Sequence, residues 1–296
     1  MAKTLFLFPA NMFDKRLYHG ISKLYQIFCV KFGFNLKIVN LEFLSQYMPE
    51  NSFQILIIAG GDGTIHKVIN TIPVETFGKY IFGIIPAGTA NEFAKSLSIP
   101  KSLEEAANLI INPKNIVRQN LGIINKEYKF TTGFLYGIPS HVLCYTPTIA
   151  KHYLGPAAFY LGLLIFLIKF SRTSESLLKK FRANSRKFRT NYLLINNISL
   201  ISKDIIIRDI EDEDGHLFSL VYLHSGLSAL DILRIAFKSE THRPVLRDPA
   251  LYYEQLNQII LEFEGELNFS LDGEPYKLPS PIYIEHFDRS IRVITG

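Results

Sequence analysis

Cysteine is scarce in this chain: Cys29 and Cys144 are its two among 296 residues. That excludes a disulfide framework and a cysteine-based zinc site, and it fits a reducing cytoplasm. Long apolar runs are also lacking. The most membrane-like stretch, residues 154–170, carries Pro156 near its start and falls short of the ~20 apolar residues that a spanning helix needs. It reads as a helix buried in the fold or lying on a membrane surface. Residues 5–8 are too few for a signal-peptide core and run into Pro9, so a first strand and no export are expected there. There is no internal repeat and no low-complexity linker. Neither the three-glycine dinucleotide pattern nor a phosphate loop ending in Gly-Lys occurs.

What the chain has in quantity is core-forming material. Its residues are 48% hydrophobic and 13% aromatic, enough for one large domain or two ordinary ones. A formal charge of +5 favours anionic partners such as nucleotides or membrane head groups without choosing among them. Up to about residue 118 the periodicity alternates. Strands are expected at 5–8, 36–39, 55–59 and 81–85, and helices at 17–32, from 65 and at 103–110, the last opened by Ser102 with Glu105 three residues on. Strands alternating with helices argue a mostly parallel sheet covered on both faces. Beyond 118, short alternating runs at 119–124, 128–134, 192–195, 205–207, 217–223, 258–263 and 269–271 predict an antiparallel β domain. The basic stretch Lys179, Lys180, Arg182, Arg186, Lys187 and Arg189 interrupts it, either as a solvated face or as a polybasic surface for anionic lipid head groups.

Chemistry is written first at residues 60–64. Gly60-Gly61-Asp62-Gly63-Thr64 follows a doubly buried strand and precedes a helix, where glycines let the backbone approach a phosphate and the helix start supplies amide donors. A carboxylate in such a loop repels phosphate unless a cation intervenes, so Asp62 suggests Mg²⁺ against a nucleotide. The plainer reading is a tight turn with Asp62 as a helix cap. A second strand end leads into Pro86-Ala87-Gly88-Thr89-Ala90-Asn91-Glu92-Phe93. Two glycine loops at the carboxyl ends of strands in one open sheet face one crevice, where such sheets bind ligands. His66 stands in the first turn of the intervening helix, close to the nucleotide or simply exposed.

These blocks, with 211–217 (Glu-Asp-Glu-Asp-Gly-His-Leu) and Leu271-Asp272-Gly273-Glu274, together resemble the diacylglycerol kinase catalytic-domain family, which includes soluble bacterial lipid kinases and sphingosine and ceramide kinases. The resemblance covers nearly the whole chain. It implies an α/β + β architecture: an open α/β nucleotide-binding domain of the NAD-kinase/diacylglycerol-kinase type at 1–118, an antiparallel β-sandwich acceptor domain at 119–280, and a C-terminal segment, 281–296, that returns to the first domain. It further implies ATP as co-substrate with Mg²⁺, a lipid acceptor taken from the membrane surface, and a cytoplasmic chain peripheral to the inner membrane. No nucleic-acid partner is expected, and a homodimer is left open.

By the same resemblance Gly60, Gly61, Asp62, Gly63, Thr64, Gly88, Thr89 and Asn91 hold the nucleotide, and Asp62 also organises the catalytic Mg²⁺. Asp214 supplies the carboxylate of a structural Mg²⁺ site, to which Glu211 and His216 lend backbone oxygens, and Glu274 is the general base. Read without the family, 272–274 is an Asp-Gly hairpin turn. NAD kinases share a Gly-Gly-Asp-Gly loop and a later Asn-Glu pair, and Lys67 stands where the family usually has glutamate. An NAD-kinase-like enzyme and a nucleotide- or lipid-binding member impaired in catalysis are therefore the alternatives.

Overall fold

The computed structural model describes residues 3–8, 22–31, 35–40, 53–88, 90–137, 178–197, 201–202, 205–206, 217–224 and 251–296. The apolar stretch 154–170, the acidic turn with Glu211, Asp214 and His216, and Thr89 lie outside the described residues. In chain order the first elements are β1 (Lys3–Phe8), the π-helical segment Gln26–Lys31, β2 (Asn35–Asn40), β3 (Phe53–Gly60), α1 (Asp62–Thr71), β4 (Ile81–Pro86), α2 (Glu92–Ser96), α3 (Leu103–Ile111) and β5 (Asn115–Gln119). There follow β6 (Gly122–Ile124), β7 (Tyr128–Phe130), β8 (Gly133–Gly137), β9 (Lys179–Ala183), β10 (Arg186–Thr190), β11 (Tyr192–Asn196), β12 (Ile201–Ser202), β13 (Ile205–Ile206) and β14 (Phe218–Leu223). The last are β15 (Leu251–Leu256), β16 (Ile259–Phe263), β17 (Glu266–Leu271), β18 (Glu274–Pro279), β19 (Ile282–His286) and β20 (Ile291–Thr295).

Two compact units result, one of Met1–Leu121 with Phe287–Gly296, the other of Gly122–His286. The first is built on one sheet in the order β2-β1-β3-β4-β20-β5, parallel up to β20 and antiparallel at β5. Its middle strands are apolar along their length because both faces are covered: Leu56 to Ile58, Phe82, Ile84 and Ile85 are buried. The α/β character expected from the alternation is what the structure has. Ser102 does stand at the N-cap of α3, but its hydroxyl makes no capping bond, so the expected capping box does not form.

Among its described residues the second unit is all β. Sheets β10-β9-β16-β19-β6-β7 and β15-β14-β11-β8-β17-β18 share one core, to which Phe181, Leu261 and Ile284 come from one sheet and Phe134, Leu193 and Phe269 from the other. Two expectations are corrected here. The run 128–134 is two strands, broken at Thr131 and Thr132, because those backbone amides bond a distant side chain rather than a neighbouring strand. The basic stretch is no interruption of the sheet: β9 and β10 pair as a hairpin turned at Asn184 with φ +52°. Its charged residues alternate with Phe181, Ala183 and Phe188, which pack on the core; period-2 burial won over charge density.

Candidate functional site

The carboxyl ends of β3 and β4 carry the two glycine loops, and the structure brings them into backbone contact. Ala87 N donates to Gly60 O at 3.1 Å. A Cβ on Gly88 would lie 2.4 Å from Gly61 Cα, and one on Gly60 would lie 2.4 Å from Thr64 Oγ1. A side chain at Gly88 would prise the two loops apart, and one at Gly60 would displace Thr64 within the first loop, which is the physical reason for glycine there. Thr64 and Ile65 amides close onto Gly61 O at 2.9 and 3.1 Å and start α1. Gly61, Asp62, Gly63 and Thr64 are each partly exposed.

Two side chains lock this arrangement. Asn91, in the left-handed region at φ +53°, clamps Gly88 from both sides: its Oδ1 accepts from Gly88 N at 2.9 Å and its Nδ2 donates to Gly88 O at 2.7 Å. Asp62 spans from the first loop to the second. Its Oδ2 accepts from Glu92 N at 3.0 Å and its Oδ1 from Phe93 N at 2.9 Å. The carboxylate thus caps α2, and it takes the place of Asn91, whose side chain caps nothing. The helix-cap reading of Asp62 held for its own helix moves to the next one. His66, whose exposure the sequence left open, is buried at 3% and meets Asn70, whose Nδ2 donates to His66 O at 2.9 Å. Lys67 is exposed on α1.

The second cluster is in the all-β unit. β17 and β18 are joined by Asp272 and Gly273, at φ +51° and +87°, the backbone of a two-residue turn that Asp-Gly favours. The hairpin reading therefore holds, and Glu274 opens β18 directly after the turn, partly exposed. What the sequence did not show is Asp272. It is 3% exposed and accepts four hydrogen bonds: from Thr131 N at 2.8 Å, Thr132 N at 2.7 Å, Thr132 Oγ1 at 2.6 Å and Gly133 N at 3.1 Å. Its own amide donates to Gly133 O at 3.0 Å. Three successive amides converging on one carboxylate form an anion nest, here filled by the protein itself. Tyr276 lies two residues beyond Glu274 on β18, and burial raises its phenol above the ordinary value, with Tyr128, Asp272, Glu274 and Glu127 adding to the effect.

The donors that could hold a metal are oxygens. Asp62, a partly exposed carboxylate beside the two loops, is the kind of oxygen donor that suits a hard cation such as Mg²⁺. Among the described residues no group of three or more His, Cys, Asp or Glu forms a metal cage, and no helix is long and apolar enough to cross a membrane.

Comparison with known proteins matches these observations. Residues 36–119, which contain both glycine loops, match the diacylglycerol kinase catalytic domain. A diacylglycerol kinase of Staphylococcus haemolyticus (strain JCSC1435) is 27% identical over 251 residues, 83% of this chain and 72% of that protein. The crystal structure of a diacylglycerol kinase from Bacillus anthracis str. Sterne superposes with a TM-score of 0.67 at 16% identity, covering 99% of this chain and 97% of that one. An NAD kinase from Archaeoglobus fulgidus in complex with ATP follows at a TM-score of 0.50 and 10% identity, covering 100% and 94%. The resemblance read from the motifs and the α/β-plus-β fold class are both borne out.

Proposed function

We propose that the chain is a kinase that transfers the γ-phosphoryl group of ATP, with Mg²⁺, to a hydroxyl of a lipid. The observation that carries this reading is the apposition of two glycine loops at the ends of β3 and β4, joined by Asp62 and the Ala87–Gly60 backbone bond, with Asn91 shaping the second loop. Backbone that no Cβ can obstruct, at the start of a helix, is a phosphate cradle. The relatives' names supply the acceptor class, and the fold likeness to an NAD kinase in complex with ATP supports the donor.

Phosphoryl transfer asks the protein to position two oxygens in line, neutralise phosphate charge and take one proton. In this reading Gly60, Gly61, Gly63, Thr64, Gly88 and Thr89 place the nucleotide, with Asn91 holding Gly88 in shape. Asp62 is the carboxylate that would hold the metal, which when bound would neutralise phosphate charge. Glu274 accepts the acceptor hydroxyl's proton as that oxygen bonds phosphorus and the bond to the leaving ADP breaks. Asp214, with the carbonyls of Glu211 and His216, is assigned the structural Mg²⁺ site. The acceptor is drawn from a membrane surface, and the chain works in the cytoplasm.

Purified protein incubated with γ-labelled ATP, Mg²⁺ and a panel of diacylglycerol, monoacylglycerol, sphingosine, ceramide and phosphatidylglycerol will label one lipid. Label in NADP instead, from NAD supplied in parallel, assigns the chain to the NAD-kinase branch. No transfer to any acceptor by folded, ATP-binding protein assigns it to a binding role.

A further inference from the structure

The β9–β10 hairpin carries its cations in two different ways. Arg186 is on the core side and is compensated: its guanidinium lies 4.4 Å from the Tyr252 ring centroid and 3.6 Å from Glu254. The opposite, solvent-facing side carries Lys180, Arg182, Lys187 and Arg189, all exposed. There the register sets Lys187 directly across from Arg182 and Arg189 directly across from Lys180. Like charges facing each other across a strand pair destabilise it. One carboxylate, Glu262 on β16, relieves Arg182 through an ion pair. Lys180, Lys187 and Arg189 make no ion pair or hydrogen bond among the described residues. The face is also hollowed, with 180–182, 187–189 and Glu262–Phe263 lining an open concavity of about 620 Å³.

Edge protection accounts for part of this. β10 is the outermost strand of its sheet, and charges on an edge strand discourage pairing with another chain. It does not account for Lys180, which sits on the inner strand β9 opposite another cation. A cation pair kept at a cost to the fold, in a concavity with little negative charge, is complementary to an anionic surface.

We propose that the solvent-facing side of the β9–β10 hairpin is a docking surface for an anionic bilayer, with Lys180, Lys187 and Arg189 engaging lipid phosphates. A bilayer fits better than a nucleic acid. The hairpin's aromatic side chains, Phe181 and Phe188, pack on the core and stack on each other at 5.7 Å, and Phe188 stacks on Tyr222 at 4.0 Å, so their ring faces are engaged by protein rather than offered to bases. The surface offers an array of point charges on a pleated sheet, which suits laterally mobile head groups. This inference goes beyond the kinase reading and does not depend on it, since docking needs neither ATP nor turnover.

The test is sedimentation of the full chain with vesicles, without nucleotide. Phosphatidylcholine vesicles containing phosphatidylglycerol are compared with pure phosphatidylcholine at low and raised salt. Wild type will partition onto the anionic vesicles only, and raised salt will release it. Double reversal, Lys180→Glu with Lys187→Glu, removes two cations worth roughly fivefold each, so partitioning falls roughly 25-fold or more. The same double variant converts both like-charge pairs into ion pairs with Arg189 and Arg182, so its melting temperature holds or rises; a loss of binding with no loss of fold belongs to docking alone. Lys180→Gln with Lys187→Gln repeats the test without new charge. Lys101→Glu with Lys114→Glu, two exposed cations of the other unit, matches the net-charge change and will still bind. Equal partitioning of all variants overturns the proposal. So does no partitioning of wild type, or tight binding of poly-uridylate in place of vesicles.

Discussion

Asp62 and Asp272 make an instructive pair. Each is a carboxylate beside a glycine turn, each belongs to a motif that reads as chemistry, and each accepts backbone amides from another part of the chain. They differ in how completely they are used. Asp272 is buried and receives four donors from Thr131, Thr132 and Gly133. Asp62 is partly exposed and accepts from Glu92 N and Phe93 N. A carboxylate buried among its donors is a structural brace; one at a partly exposed loop can brace that loop and still meet a cation. In one region the acid therefore serves the fold so that its neighbour Glu274 is held at the end of a strand. In the other the same residue type can serve fold and ligand together.

The largest expected effect is at the filled carboxylate. Asp272→Ala leaves three amides and a hydroxyl unsatisfied, at a cost of about 1–3 kcal/mol for each buried group, so the variant loses about 4 kcal/mol or more. Hydrogen exchange will show the 131–133 amides opening, while those of β3 and β4 stay protected. Uniform loss of protection in both units would break the contrast. Gly88→Ala comes next: its Cβ must push against Gly61 Cα from 2.4 Å, costing about 2 kcal/mol as strain. Calorimetry will find weaker Mg-ATP binding with the all-β unit untouched. Asp62→Asn is milder, about 1 kcal/mol, since one amide of α2 loses its acceptor. Its larger signature is loss of Mg²⁺ dependence in ATP binding, and unchanged dependence would make Asp62 a brace like Asp272.

Alkaline titration gives the smallest and broadest effect. Burial pushes Tyr192 up to about 12, and burial with the Glu254 hydrogen bond pushes Tyr252 up to about 12, from an ordinary 10.0. The unfolded chain then loses phenol protons first as pH rises, so stability is fully present below pH 10 and is lost progressively toward pH 12. The melting temperature of the all-β unit will fall across that window, and Tyr252→Phe will flatten part of the fall.

Much of this was legible because it is local. The strands at 55–59 and 81–85 carry no polar side chain and lead into glycine loops, and that is how doubly covered parallel strands look in sequence. The two loops were legible for the same reason, although their contact through Gly61 and Gly88 was not, because glycine has no side chain to advertise a neighbour. Asp272 was readable only as a turn residue. Its partners are some 140 residues away, and nothing in Thr131-Thr132-Gly133 announces an anion nest. The basic stretch misled in the opposite direction, since charge density hid the alternation of Phe181, Ala183 and Phe188 that makes it a hairpin.

The central claim is that nucleotide binding belongs to the glycine loops and proton acceptance to the residue after the Asp-Gly turn. Glu274→Gln tests it most directly, with Mg-ATP affinity by calorimetry and labelled-lipid turnover taken on the same preparation. The account predicts wild-type affinity with turnover reduced about 10²- to 10⁴-fold, as expected for loss of a general base. Undiminished turnover at wild-type affinity would contradict it.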